Sequence, residues 1–203
     1  MSKPAPSTRR RFRALAAGAL IATLAAQSAG AAALQTAVFA GGCFWSMQHG
    51  MEDVPGVVKV VAGYSGGHVP HPSYEQVSTE RTGHYESVQV TYDPAKISYS
   101  QLVDRYFHLT DPTDGHGQFC DQGPSYRPAI FVANPAEQAA AAEEKAKISR
   151  ELHGKAVATA ILTAAPFWPA EAYHQDYARK NPVSYNTYRV GCGRDLALRA
   201  VWR

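Results

Sequence analysis

Two β-like segments with no helix between them set the first constraint on this fold. Val57–Tyr64 (VVKVVAGY) is rich in β-branched residues, and Ser87–Asp93 (SVQVTYD) alternates with Val88, Val90 and Tyr92 on one side. Elsewhere strand-like and helix-like stretches take turns. Thr36–Ala40 reads as a strand, Gly41-Gly42 as a turn, and Cys43–Asp53 as a helix stopped by Pro55-Gly56. Ser98 can cap a helix that buries Leu102, Val103, Tyr106 and Phe107. Ala129–Ala133 reads as a strand, Pro135 to His153 as a helix with an alanine-rich Glu/Lys surface, Ala156–Leu162 as a strand and Ala170–Lys180 as a short helix. From Asn181 the pattern fades. The order is β-α-β-β-α-β-α-β-α. A doubly wound parallel sheet demands strict alternation, so this order predicts an α/β fold with a mixed sheet. The expected form is a two-layer α/β sandwich of the ferredoxin-like or α/β-roll kind, with an irregular C-terminal tail. A length of 203 residues, 45% of them hydrophobic, suits one domain with its own core.

The first 33 residues are expected to stand outside that domain. Residues 2–13 (SKPAPSTRRRFR) carry five basic residues and no acid, and an apolar run, ALAAGALIATLAA, follows. Small residues near Ala31–Ala33 then offer a cleavage site. This is the pattern of an export signal, too short for a comfortable membrane span. Thr8-Arg9-Arg10-Arg11-Phe12 also resembles the twin-arginine export motif. The expectation is a periplasmic protein with a signal over 1–33 and a single domain over 34–203. An uncleaved anchor is the alternative. Without the signal the chain keeps 15 basic and 17 acidic residues, a net charge of −2. The basic balance belongs to the signal, and nothing points to nucleic acid.

Three cysteines remain, Cys43, Cys120 and Cys192. Export permits disulfides, yet the number is odd and the domain too large to need staples, so a catalytic pair plus one spare fits better than a framework. No CxxC pair is present. Of the eight histidines, His68, His71, His84 and His116 lie in loops without metal-ligand spacing, so no metal is expected. Gly41-Gly42-Cys43-Phe44-Trp45 places a thiol at a strand-to-helix turn. Unpaired N–H groups and the helix dipole favour an anion there and lower a thiol's pKa. The glycines leave room for a substrate, and two aromatic rings supply an apolar wall. A buried core cysteine beside core aromatics is the competing reading of this pentapeptide. Glu86 stands just before an apolar strand; a carboxyl near aromatic walls would be desolvated and kept protonated as a general acid, and ordinary loop polarity is the competing reading of this residue taken alone. Residues 68–85 and Thr110–Pro124 read as long loops, which tend to be functional in compact domains.

Gly-Cys-Phe-Trp at 42–45, Gly-His-x-Glu at 83–86, QFCDQGPSYR at 118–127 and AEAYHQDY at 170–177 together resemble the peptide methionine sulfoxide reductase A family, the type acting on the S epimer. The resemblance runs from about Thr36 to Pro182. It implies a mixed α/β sandwich and the following roles. Cys43 attacks the sulfoxide sulfur, and protonated Glu86 donates to its oxygen with help from Tyr74 and Tyr126. Phe44 and Trp45 hold the substrate methyl group, and Asp121 shapes the polar side of the site. Cys43 becomes a sulfenic acid, a second thiol condenses with it, and a thioredoxin-like or small-thiol reductant resets the enzyme. No organic cofactor or metal is required, and a monomer is expected. His174 resembles a structural position.

The sequence departs from the pattern in places. Phe119 stands where a glycine is usual, Tyr85 where a small residue is frequent, and Val183-Ser184-Tyr185-Asn186 lacks the recycling cysteine many relatives carry there. Cys192, with a glycine on either side, is therefore assigned as the resolving thiol, joined to Cys43 after turnover; Cys120 is the alternative resolver or inert. A thiol peroxidase, or an exported binding domain with a structural Cys43–Cys192 disulfide, are the rival functions.

Overall fold

A computed structural model describes residues 1–3 and 33–203, so the expected export signal falls almost wholly outside the described residues. Among the described residues no helix is long and apolar enough to cross a membrane. In chain order the elements begin with strand β1 (Gln35–Ala40), helix α1 (Phe44–Glu52), strand β2 (Val57–Ser65), helix α2 (Tyr74–Val77) and strand β3 (Tyr85–Tyr92). Helix α3 (Tyr99–His108), the two-residue strands β4 (Gly117–Gln118) and β5 (Asp121–Gln122), a 3-10 turn (Pro124–Tyr126) and strand β6 (Ala129–Val132) follow. Helix α4 (Pro135–Glu151), strands β7 (Ala160–Thr163) and β8 (Trp168–Pro169), and helices α5 (Tyr177–Lys180), α6 (Pro182–Gly191) and α7 (Arg194–Val201) complete the chain.

The main sheet is mixed, in the order β7-β6-β1-β3-β2-β8. Strands β6 and β7 run parallel, and the other neighbours are antiparallel. The adjacent β-like segments noted in the sequence, β2 and β3, pair directly, with Tyr64 opposite Glu86 and Val60 opposite Val90. Side chains alternate across a strand, so one face of the sheet carries Ala37 and Phe39 from β1, Val60, Ala62 and Tyr64 from β2, and Val88, Val90 and Tyr92 from β3. That face packs on Phe44, Met47 and Met51 of α1 and on Leu102, Val103, Tyr106 and Phe107 of α3, all buried. Burying such side chains supplies on the order of 1.5–3 kcal/mol each before the entropy cost. The opposite face holds only a small cluster around Ala40, Ala129 and Phe131. Two helices start with a capping box, Ser73 with Gln76 on α2 and Ser98 with Gln101 on α3. Each capping serine contributes about 1 kcal/mol.

Four sequence expectations change. The 68–85 loop contains α2. Strand β3 begins at Tyr85, so Glu86 lies inside the strand and not before it. Over 170–180 only Tyr177–Lys180 is helical, because Asp176 sits in the left-handed region (φ 56°). The side chain of Gln175 is also taken up by the Ala62 backbone and the Ala170 carbonyl. Finally, the expected irregular tail is the two helices α6 and α7, joined at Gly193, also left-handed at φ 66°. No apolar period announces them, since each has a single buried side chain, Tyr185 and Arg194. Specific contacts hold them instead. Trp202 donates to the Thr110 carbonyl (3.1 Å) and stacks on His108, while Arg189 clasps Asp195 and donates to the Tyr185 hydroxyl.

Candidate active site

Strand β1 delivers the chain to Gly42, whose φ of +77° lies in the left-handed region. A Cβ there would stand 2.6 Å from the Cβ of Gln118, so only glycine fits both the turn and the neighbouring loop. The Gly42 amide donates to the Tyr126 carbonyl at 3.1 Å, which fixes the turn to the second loop. Cys43 follows as the N-cap of α1 and is 7% exposed. Its own carbonyl takes the amides of Ser46 and Met47. The next free helix amide, that of Phe44, donates to Glu86 Oε2 at 3.0 Å. Alternation along β3 explains why the acid is there: Glu86 shares the inward face of Val88 and Val90, beneath the start of α1.

Burial dominates the electrostatics. The Glu86 carboxyl is pushed up to about 8, because desolvation outweighs the stabilising Phe44 amide. It is therefore protonated at neutral pH. The Cys43 thiol is pushed up to about 12, first by burial and then by the carboxylates of Glu86 and Asp121. The Tyr188 hydroxyl and the Trp45 amide oppose the rise without overcoming it. This corrects the expectation of a thiol lowered by its helix terminus. The Phe44 amide serves Glu86, and the sulfur lies in a low-dielectric pocket. Burial and then the neighbouring Glu86 carboxyl also raise the phenols of Tyr74 and Tyr126, so both are neutral hydrogen-bond donors.

The structure gathers Cys43, Glu86, Tyr74, Tyr126 and Asp121 into one partly dry group. Asp121 receives the hydroxyl of Tyr188 from α6, lies against the Cys43 amide, and has Oδ1 3.8 Å from Cys120 Sγ. Phe44 and Trp45 split in environment. Phe44 is 1% exposed, packed against Tyr64 and His174, so its ring belongs to the core. Trp45 is half-buried, stacks on Tyr177 at 3.8 Å and donates from Nε1 to His174 Nδ1 at 3.1 Å. A cavity of about 630 Å3 elsewhere on the molecule, lined by Gln48, Glu52, Lys59 and Arg179 among others, contains none of these groups.

The cysteines pair differently from expectation. Cys120 and Cys192 form a disulfide, and Cys43 is free. The expected Cys43–Cys192 pairing is thus replaced. Helix α6 ends at Gly191 and presents Cys192 to the hairpin loop, where the Cys120 amide donates to Cys192 Sγ at 3.1 Å. Cys43 stays buried at the helix cap.

Several supporting residues escaped the sequence reading. Glu171 accepts from the Tyr64 hydroxyl (3.0 Å) and the Tyr74 amide (2.8 Å), tying α2 to β2. Glu80 receives the amide and hydroxyl of Ser125 and so braces the turn before Tyr126. Tyr188 and Arg194 reach the site from the tail. Only Glu171 lay in a motif that could have marked it, the AEAYHQDY run; the others act through tertiary contacts with no local signature.

The chain is similar over most of its length to known proteins. The family model described as peptide methionine sulfoxide reductase matches residues 35–203. A Caulobacter vibrioides protein named peptide methionine sulfoxide reductase MsrA 2 is 52% identical over 195 residues, 95% of this chain and 98% of its own. The corresponding MsrA of Bacillus licheniformis is 47% identical, covering 83% of this chain and 93% of its own. Among solved structures, reduced Mxr1 from Saccharomyces cerevisiae superposes with a TM-score of 0.69 at 32% identity, over 74% of this chain and 87% of that one. The yeast protein has also been solved in complex with Trx2. A free cysteine capping the first helix over a buried glutamate, within a match that spans the whole domain, places this chain in the peptide methionine sulfoxide reductase family.

Proposed function

We infer that this chain is a peptide-methionine (S)-S-oxide reductase, reducing methionine-S-sulfoxide, free or in proteins, to methionine at the expense of thiols. The observation that carries the reading is the juxtaposition of a free, buried Cys43 with a protonated Glu86 at the start of α1. Cys43 attacks the sulfoxide sulfur while Glu86 delivers a proton to the oxygen. Tyr74 and Tyr126 hold that oxygen by hydrogen bonds, and Trp45 faces the methyl group. Attack forms an S–S bond to the protonated sulfoxide; that bond and the S–O bond then break as the oxygen passes to the Cys43 sulfur, so methionine leaves, Cys43 carries a sulfenic acid and the Cys43 proton replaces the one Glu86 donates. Raised pKa values on both groups suit this exchange, since neither charge is formed in the dry pocket before substrate arrives. The deciding experiment is turnover of the two resolved sulfoxide epimers with dithiothreitol. Methionine should appear from the S epimer alone; equal rates on both epimers, or peroxide consumed in preference to sulfoxide, would sink the assignment.

Recycling involves both remaining cysteines. The disulfide excludes the attacking cysteine, so oxidation at Cys43 is passed on. Asp121 lies against the Cys43 amide and beside the Cys120 sulfur, which favours Cys120 as the first thiol to condense with the sulfenic acid, releasing water. Cys192 then attacks the Cys120 sulfur and expels the Cys43 thiolate. The final disulfide includes the exposed Cys120, where a thioredoxin-like dithiol can reach it. Cys192→Ser is expected to make one methionine per enzyme, accumulate Cys43–Cys120 and stop cycling with thioredoxin. Peptide mapping of the variant after one turnover checks this, and a Cys43-free map would refute the relay. The basic and apolar N-terminus supports export to the periplasm; cell fractionation and N-terminal sequencing of the mature chain test that.

A further inference from the structure

Arg194 is 2% exposed, yet among the described residues no carboxylate forms a contact ion pair with it; Asp121 acts on it only from farther off. Asp195, next to it in sequence, is held by Arg189 at 2.6 Å. Arg194 Nη2 donates to the Leu109 carbonyl at 2.7 Å and meets the Met47 sulfur at 3.7 Å. Nη1 is buried with no hydrogen-bond partner. Burying an ion with no counter-ion in contact is costly, and such a group in a native fold calls for a reason. A second cost lies against the first. Phe119 adopts φ 60°, a left-handed conformation that side chains rarely take, and its ring lies 4.6 Å beneath the Arg194 guanidinium. Phe119 precedes Cys120, and Arg194 follows Cys192 by two residues. On its other side Nη1 lies 3.7 Å from where a Cβ on Gly42 would sit, one residue before Cys43. One guanidinium therefore lies beside the segments that carry all three cysteines.

We propose that Arg194 is a positioning residue that supplies the counter-charge for the Cys43 thiolate and clamps the Cys120 loop and the Cys192 helix to it. The proposal rests on the redox reading of Cys43 given above. A thiolate arises at Cys43 when it attacks substrate and again when exchange with Cys120 expels it, so the missing partner of the cation is a transient one. The other groups facing Cys43 are Glu86 on β3, Asp121 after the hairpin turn, Tyr188 on α6, and the phenols of Tyr74 and Tyr126. All of these are acids. Around Arg194 itself stand Tyr185, Tyr188, Asp121 and Cys43, while His49, Asp53 and Arg105 line a small cavity with it. Arg194 is the buried cation on the Cys43 side of this group.

The test uses the oxidised protein, in which the disulfide leaves Cys43 as the free thiol. The rate of Cys43 alkylation by iodoacetamide is followed against pH for the parent, Arg194→Met, Arg194→Gln and Arg194→Lys. Losing the cation should move the profile of the two neutral variants upward by about one pH unit, about tenfold slower at fixed pH on the rising limb. Arg194→Lys should stay within about threefold of the parent. Parent-like profiles in the neutral variants, or a fall in Arg194→Lys equal to theirs, would overturn the proposal. Should neither neutral variant fold, by circular dichroism and thiol count, the parent alone decides. Beside a cation, anionic iodoacetate should alkylate Cys43 at least as fast relative to iodoacetamide as it alkylates free cysteine. A relative rate about tenfold lower would mean that the carboxylates govern the pocket and Arg194 does not. Because alkylation needs no sulfoxide chemistry, this result stands apart from whether the chain reduces methionine sulfoxide.

Discussion

Cys43→Ser should reduce methionine formation from methionine-S-sulfoxide to the uncatalysed background, even with excess dithiothreitol. The buried thiol is already pushed up to about 12, and a hydroxyl in the same pocket would resist ionisation further. A serine oxygen also has no counterpart to the sulfenic acid, so it could not hand the oxidation on even if it attacked. The relay supplies a second readout. Reduced parent protein given one equivalent of substrate should lose two free thiols for the one methionine formed, ending with the Cys120–Cys192 disulfide. The variant should lose none, because sulfoxide has no route to Cys120 or Cys192 except through Cys43. Substantial methionine production by Cys43→Ser, or substrate-driven closure of the disulfide in it, would remove Cys43 from the centre of the chemistry. A small residue change at an N-cap that makes no side-chain cap hydrogen bond should leave folding intact, which thermal unfolding can verify.

The central sheet and the acid were legible in the sequence because alternation is local. Val88, Val90 and Tyr92 fix the inward face of β3, and stepping back two residues puts Glu86 on that same face. The expected strand begins at Ser87, one residue too late to include Glu86. The turn at Gly42 was legible too, though its reason was not. The residue that forbids a side chain there, Gln118, is 76 positions away in a loop. What could not be read was the tail. Helices α6 and α7 bury one side chain each and leave Val183, Val190 and Leu196 in solvent, so their pattern resembles irregular chain. With the tail went the disulfide, since glycines around Cys192 suggest reach but say nothing about which sulfur it meets. The raised pKa of Cys43 was hidden for a similar reason. A helix terminus is visible in sequence, but the allocation of its amide to Glu86 is a tertiary fact.

Glu86→Gln should lose around 10²-fold or more in the single-turnover rate of methionine formation, the range that general acid catalysis supplies. The substitution keeps shape, and the amide oxygen can still accept from the Phe44 N–H, so the first turn of α1 should not move. In the proposed mechanism, what it removes is the proton for the sulfoxide oxygen. The pH dependence separates this role from simple positioning. With its carboxyl pushed up to about 8, Glu86 is protonated below that value, and the parent's single-turnover rate should fall as pH rises through about 8. Glu86→Gln should lose that limb of the profile. Stability should change in the opposite sense. The folded-state pKa lies above the ordinary 4.5, so between 4.5 and about 8 the native state binds the proton that the unfolded chain has released. Folding is then progressively disfavoured as pH rises through that window, and the penalty is complete above about 8. Glutamine carries no such charge. Relative to the parent, Glu86→Gln should therefore melt at higher temperature at pH 9 than at pH 5, while remaining nearly inactive at both. A variant within a few-fold of parental rate would pass the proton donor's role to Tyr74 or Tyr126. One that loses activity and also loses stability at pH 9 would mean that the ionised carboxylate stabilises the native pocket, so that burial does not raise its pKa.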